Sequence, residues 1–184
     1  IAVKIFLVTA AEFRRGRHKY NEGDPRFRRV GRKIRDSVRA WCSKEYRNLK
    51  RAYEVGVRVP RPIAFKENVL LMEFISVGER GVPAPLLKDA PPEDPDEAFS
   101  TLCNYVKALY LKGELVHADL SEYNIMNTGS ELVIIDWGSA VHARHPMAEE
   151  FLLRDIERLY RYFERLGVDT GDPKRFFKEL VNRA

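Results

Sequence analysis

The chain has 184 residues and a mass of 21.4 kDa, room for one domain or one compact two-lobed unit. Hydrophobic residues make up 45%, too many for a disordered chain, and no apolar run approaches the roughly 18–20 residues that span a bilayer, so no membrane partner is expected. Two cysteines, Cys42 and Cys103, build no disulfide framework, which points to a reducing, cytoplasmic compartment. The net charge of +5 is uneven: residues 14–39 hold eleven Lys/Arg against three Asp/Glu, so this one segment carries all of the positive excess.

The chain opens on Ile1 rather than Met, directly in the strand-like alternation Ile1-Ala2-Val3-Lys4-Ile5-Phe6, and reads as a fragment whose own N-terminus lies upstream. Lys4 inside the apolar stretch, rather than ahead of it, speaks against a signal peptide. The basic segment 14–39 contains Gly16, Gly23, Pro25 and Gly31 and no clear periodicity, and is expected to be a long loop. A helix is predicted over about 40–55, with Trp41, Glu45, Leu49, Ala52 and Tyr53 at helical spacing and Gly56 as its stop. Strands follow at 61–65 and 69–74 around a Lys66-Glu67-Asn68 turn. Residues 75–95, rich in Gly, Pro and charge, read as a linker. Asp96 is the expected cap of a helix reaching about Lys112. Residues 116–127 read as a loop and 132–136 as a buried strand ending in an acid. Pro146 opens a strongly amphipathic helix ended by Gly167, and a last helix begins near Asp172-Pro173. This order predicts an α+β chain in two lobes with a cleft between: an N-terminal lobe over 1–75, a hinge over 76–95 and a helical C-terminal lobe over 96–184.

The strongest chemical signal is His117-Ala118-Asp119-Leu120-Ser121-Glu122-Tyr123-Asn124, which fits the pattern H-x-D-L-x-x-x-N of a kinase catalytic loop. Phosphoryl transfer from ATP needs a carboxylate to orient the attacking hydroxyl and accept its proton, here Asp119. It also needs a neutral oxygen ligand for magnesium, here Asn124. Twelve residues on, Asp136 ends the run Val133-Ile134-Ile135-Asp136-Trp137-Gly138 at the D-F-G position, with Trp for Phe, and would hold magnesium against the phosphates. Alone, either motif could be an acid in a turn; their order and spacing together argue for the site. Lys4 in Ala2-Val3-Lys4 matches the strand lysine that contacts the α and β phosphates, and Glu45 is its candidate ion-pair partner. Met72, Glu73 and Ile75, between strand and linker, are where an adenine would meet backbone N–H and C=O groups. His117 is expected to order the loop rather than to transfer protons. The remaining histidines show no ligand spacing with the cysteines, so no zinc site is expected.

These residues resemble the RIO family of atypical serine/threonine protein kinases, and most of all its first branch. The resemblance runs over nearly the whole chain, through the segments 2–6, 20–28, Lys44-Glu45-Tyr46-Arg47-Asn48-Leu49, 68–75, Pro83-Ala84-Pro85, 115–124 and 145–155. It implies a two-lobed kinase fold using ATP and magnesium, or manganese in its place. It places the nucleotide lysine on Lys4, the catalytic aspartate on Asp119, the metal ligands on Asn124 and Asp136, and adenine contacts near Glu73 and Ile75. It also implies phosphorylation of protein serine, including autophosphorylation; Ser37, in or beside the basic loop, is one candidate acceptor, and nothing in the sequence singles it out. A part in small ribosomal subunit maturation goes with it; the clustered Lys/Arg of the basic loop 14–39 would meet the pre-ribosomal subunit or its RNA, the alternative being a solvated loop that contacts nothing. The resemblance further allows an ATPase in which Asp136 accepts the phosphoryl group. Two departures stand out: the serine- and glycine-containing phosphate loop ahead of the lysine strand is absent, and Trp137-Gly138 differs from eukaryotic members, as an archaeal origin would give. Only 48 residues follow Asp136, with no A-P-E anchor, so a reduced C-terminal lobe without a conventional activation segment is expected. A small-molecule kinase of the aminoglycoside or choline type is the further alternative. Such kinases usually carry Gly where this chain has Ala118, and a larger C-terminal part.

Overall fold

The computed structural model describes residues 1–7, 34–78 and 81–183. In chain order its elements are β1 (Ala2–Ile5), α1 (Ile34–Glu54), β2 (Pro62–Lys66), β3 (Val69–Met72), α2 (Pro95–Leu111), β4 (Leu115–Val116), β5 (Ile125–Asn127), β6 (Leu132–Ile134), β7 (Val141–His142), α3 (Ala148–Arg165) and α4 (Pro173–Val181). β1, β3 and β2 form an antiparallel sheet in that order, with Lys4 opposite Leu70 and Ala2 opposite Met72. The alternation of β1 turns Val3 and Ile5 out to solvent and Lys4 to the inner side, because successive side chains of a strand point to opposite faces.

Helix α1 lies against this sheet and joins two cores. Val38, Trp41 and Cys42 pack with Phe6 and Leu70, while Leu49 and Ala52 enter the main core. The helix begins at Ile34, not near Ala40, so the last six residues of the basic segment are helical, Ser37 among them. Val38 continues the buried stripe backwards, and Asp36 suits the positive end of the helix dipole. Of the residues read at helical spacing, Tyr53 is exposed. The basic stretch up to residue 33 lies outside the described residues. Gly56, with φ of +82°, takes the left-handed conformation that ends α1.

The main core gathers Leu102, Val106 and Leu109 of α2, Phe151, Ile156, Leu159 and Phe163 of α3, and Phe176 and Leu180 of α4 around β4 to β7. Helix α2 is capped by Asp94 rather than Asp96. The Asp94 side chain accepts from the Glu97 N–H at 2.9 Å, and Pro95 takes the first helical position, where its missing N–H costs nothing. The predicted linker is partly built into the fold: Leu87 is fully buried, and its N–H donates to the Ile125 carbonyl at 2.8 Å. The stretch 116–127, expected as loop, contains Val116 of β4 and all of β5. These strands are two and three residues long, too short for alternation to register. The acid-ending strand stops at Ile134, leaving Ile135 and Asp136 beyond it. Helix α3 begins at Ala148, two residues after Pro146.

Candidate functional site

The hairpin of β5 and β6 brings the two acidic motifs together. Ile125 pairs with Ile134, and the Ile135 N–H donates to the Asn124 carbonyl at 2.9 Å, so Asn124 and Asp136 emerge side by side from the same end of the ladder. Asp136 then turns with φ of +61°, a left-handed conformation uncommon for a side chain with a Cβ. Trp137 is buried behind it, its indole N–H donating to the Ile134 carbonyl at 3.1 Å. Gly138 passes close to α1: a Cβ there would lie 2.9 Å from the Trp41 indole nitrogen and 3.1 Å from a Glu45 oxygen. Asn48, one turn along α1 from Glu45, donates to the carbonyls of Trp137 at 3.0 Å and Ala140 at 2.9 Å. This helix is thereby stapled to the turn that carries Asp136.

Lys4 reaches in from β1. Its ammonium donates to Glu45 at 2.7 and 3.0 Å and to Asp136 at 2.9 Å. Burial pulls the Lys4 pKa down, but the two carboxylates outweigh it and hold the ammonium above the usual lysine value. Burial likewise pushes Asp136 up, and Lys4 overcomes it, so its carboxyl stays below the usual range. Glu45 is sealed in, whereas the Asp136 carboxylate is 54% exposed to the cleft. That cleft, of about 380 Å³, is lined by Lys4, Glu45, Met72, Ile75, Asn124 and Asp136, with Glu73 and Trp137 also on its wall.

Asp119 stands on the far side of Asn124. The Asn124 amide nitrogen donates to the Asp119 carbonyl at 2.8 Å and to its carboxylate at 3.2 Å, leaving the amide oxygen as the atom free to ligate. The other Asp119 oxygen accepts from Arg158 of α3 at 2.9 Å. His117 is buried edge-on to Trp137 and meets the Ile135 carbonyl through Nε2 at 3.1 Å, so this nitrogen carries the proton. Burial lowers its pKa, disfavouring the charged ring. Below the loop, buried Asp155 accepts from the N–H groups of Ala118 at 2.7 Å and Leu120 at 3.0 Å.

Between strand and linker, the Glu73 carboxylate is held by Arg58 at 2.9 and 3.1 Å and by the Arg61 N–H at 2.9 Å, and it is not aimed at a ligand. The hydrogen bonds from Arg58 hold the Glu73 carboxyl below its usual range, against the upward push of burial. The Glu73 N–H is spent on the Arg61 carbonyl, and the Ile75 carbonyl accepts from Ala84. The Glu73 carbonyl and the Ile75 N–H have no partner among the described residues.

Lys4, Glu45, Met72, Glu73, Ile75, Asn124 and Asp136 thus share one cleft, and Asp119 opens on a neighbouring one that meets it at Asn124. Sequence reading passed over Arg158, Asp155 and Asn48. Asp155 closes the segment 145–155 that carries the RIO resemblance, but nothing in the sequence says which backbone groups it would meet. No group of three or more His, Cys, Asp or Glu residues suited to a metal occurs among the described residues. Two hard oxygen donors, the Asp136 carboxylate and the Asn124 amide oxygen, do suit magnesium, which takes one or two protein oxygens and completes its shell with phosphates and water.

Comparison with known proteins gives the family and the fold. A crystal structure of the Rio2 kinase from Chaetomium thermophilum, described as its ADP/Mg2+-phosphoaspartate complex, matches with a TM-score of 0.60 and 28% identity, covering 80% of this chain and 45% of that one. The RIO-type serine/threonine-protein kinase Rio1 of Haloferax volcanii is 46% identical over 173 residues, 94% of this chain and 58% of the relative. Its counterpart from Thermoplasma acidophilum is 39% identical over 174 residues, 95% of this chain and 90% of the relative. The RIO domain family matches residues 1–176. The fold is that of a protein kinase, α+β with the sheet and α1 on one side of the cleft and the helices on the other. Within that class the chain belongs to the RIO domain family. It spans little more than half the length of the Haloferax relative.

Proposed function

We propose that this chain is the catalytic core of an atypical serine/threonine protein kinase that uses ATP and magnesium, with manganese as a substitute. The observation that carries the reading is the bridging of Glu45 and Asp136 by Lys4 in a cleft that Asn124 shares with Asp119. Adenine would enter beside Met72, donating to the Glu73 carbonyl and accepting from the Ile75 N–H. Lys4, oriented by Glu45, would hold oxygens of the α and β phosphates. Asp136 and Asn124 would hold the magnesium ion, which when bound neutralises charge on the phosphates. Asp119 would orient a serine hydroxyl and take its proton as the oxygen bonds to the γ-phosphorus and the bond to the β-phosphate oxygen breaks, releasing ADP. His117 orders the loop rather than transferring protons. With this reading goes a division into an N-terminal lobe over 1–75, a hinge over 76–95 and a C-terminal lobe over 96–184.

A second reading has support of its own: the Rio2 relative is described with a phosphoaspartate, and the Asp136 carboxylate is the open one in the cleft. Here an Asp136 oxygen takes the γ-phosphoryl group, ADP leaves, and water later hydrolyses the acyl phosphate. The two readings differ in product chemistry. Incubation with γ-labelled ATP followed by acid and base treatment separates them, because a phosphoserine ester survives acid and is lost in base, whereas an acyl phosphate is labile in both. An acid-stable label that disappears in Asp119→Ala supports the kinase, and a label lost in Asp136→Asn that is labile in both treatments supports the ATPase. No nucleotide binding at all would overturn both.

A role in maturation of the small ribosomal subunit belongs to the same proposal. It is supported by the RIO resemblance and by the charge of segment 14–39. Binding to small-subunit RNA measured at two salt concentrations tests it: steep weakening with salt is expected, and absence of affinity would remove the RNA contact. No helix among the described residues is long and apolar enough to cross a membrane.

A further inference from the structure

Beside the nucleotide cleft lies a second bay of about 450 Å³, with Asp119, Glu122 and Tyr123 on one side and Arg158, Arg161 and Arg165 on the other. The arginines sit at i, i+3 and i+7 on α3, a spacing that puts all three on one face of the helix. Two of them are matched: Arg158 meets Asp119 at 2.9 Å and Arg165 meets Glu122 at 2.8 Å. Arg161 is exposed and has no acidic partner among the described residues. The bay therefore holds one guanidinium in excess of its carboxylates. Asp119 is 46% exposed at its inner edge, so a ligand in the bay reaches the carboxylate that would receive the acceptor hydroxyl.

We propose that this bay seats an anionic side chain lying next to the acceptor serine of a polypeptide substrate, with Arg161 as the residue that reads it. The proposal deepens the kinase reading and rests on Asp119 as the group that orients the acceptor. Guanidinium forks bind carboxylates and phosphate esters through two parallel N–H donors, so either anion suits the site. Arg158 lies within the same face and would be shared between Asp119 and the incoming anion. A continuous nucleic-acid backbone fits less well: Asp119 and Glu122 repel a string of phosphates, whereas a single anion can settle between them and Arg161. Substrate choice would thus come from α3, on the helical side of the cleft.

The test uses the intact chain and labelled peptides with one serine, flanked by Glu, by phosphoserine, by Lys or by Ala, with binding followed by fluorescence anisotropy and transfer followed with labelled ATP. The acidic peptides are expected to bind at least about tenfold tighter than the Lys peptide, the Glu and phosphoserine versions showing which anion is preferred. Arg161→Glu should abolish that preference and favour the Lys peptide, while Arg161→Lys retains most of it; Arg161 is exposed, so neither change threatens the fold. Asp119→Asn should still bind the acidic peptide while transferring nothing. Equal binding of all peptides, or an acidic preference that survives Arg161→Glu, would overturn the proposal. So would an RNA oligonucleotide that binds through Arg161 more tightly than any peptide. Acidic binding that depends on Arg161 in a chain that transfers no phosphate would support the bay and overturn the role of Asp119 alone.

Discussion

Asp155 and Ala118 are joined across 37 residues by a hydrogen bond of 2.7 Å, from the Ala118 N–H to a buried carboxylate. The same carboxylate takes the Leu120 N–H at 3.0 Å, so it grips the backbone on both sides of Asp119. Ala118 has φ of +65°, a conformation that costs a residue with a Cβ about 1–3 kcal/mol and persists only where neighbours enforce it. Asp155 is that neighbour. Its role in this fold is to keep the backbone around Asp119 in a shape it would not otherwise hold.

Replacing Asp155 by Asn puts an NH2 group against one of the two N–H donors and leaves a buried donor unpaired. We expect a loss of about 1–3 kcal/mol in stability and a larger proportional loss of phosphoryl transfer than of nucleotide affinity. The effect should depend on pH. Burial pushes the Asp155 carboxyl up to about 7, against the pull of the two N–H groups, so between the unfolded value near 3.8 and about 7 the folded chain holds more protons than the unfolded one. The Asp155 contribution to stability therefore falls as pH rises through that window. Urea unfolding at pH 5 and pH 8 should show a larger gap between wild type and Asp155→Asn at pH 5; an equal gap would contradict this account.

The buried ring of His117 works in the opposite sense. Its pKa is lowered by burial, so below about pH 6.5 the unfolded chain binds a proton that the folded chain resists. Its share of stability is complete above that pH and lost as the solution is acidified. His117→Gln, which keeps a donor for the Ile135 carbonyl, should flatten the acid side of the stability profile. Nuclear magnetic resonance titration of wild type should find this imidazole titrating below the usual histidine value, and an unshifted titration would contradict this account.

Glu45→Gln removes one of the two negative charges that hold Lys4. The amine keeps its bond to Asp136, so the fold should survive. The lysine is then drawn toward Asp136, and turnover with ATP should drop by roughly tenfold or more through lost positioning. Calorimetric titration with ADP and magnesium, set beside turnover, separates weaker binding from slower chemistry; unchanged turnover would remove Glu45 from the site.

Gly138→Ala would force a methyl against Trp41 and Glu45, both packed in place. Overpacking of this kind costs about 1–3 kcal/mol, and the relief available is a shift of α1 away from the Asp136 turn. We expect a lower Tm together with weakened nucleotide binding, since the Lys4–Glu45 contact depends on the position of α1. A variant with wild-type Tm and affinity would show that α1 moves freely there.

Much of the site was legible because its chemistry sits in short, ordered motifs. Asp119 and Asn124 share one loop pattern, Asp136 ends a fully apolar run, and Lys4 interrupts an alternating strand. Helices α2 and α3 were legible from the spacing of their apolar residues, and the start of α4 from Asp172-Pro173, whose aspartate caps the helix and whose proline opens it. The start of α1 was hidden by charge: its first turns carry Arg35, Asp36 and Arg39 around a single buried Val38, and the basic segment masked the stripe. The small strands β4 and β5 were hidden by length, and the cap at Asp94 by the competing Asp96 two residues on.

From the amino-acid order alone come the residue types of the candidate site, their sequence along the chain, and the balance of strand and helix, because these depend on local patterns of two to eighteen residues. Only the folded structure decides that Lys4 touches both Glu45 and Asp136, that Arg158 occupies one oxygen of Asp119, and that Asp155 holds the loop from beneath. Those contacts span 37 to 132 residues, and they are set by the packing of α1 and α3 against short hairpins. A charged side chain carries no local signal of which distant partner will meet it; burial and geometry choose that partner once the chain has closed on itself.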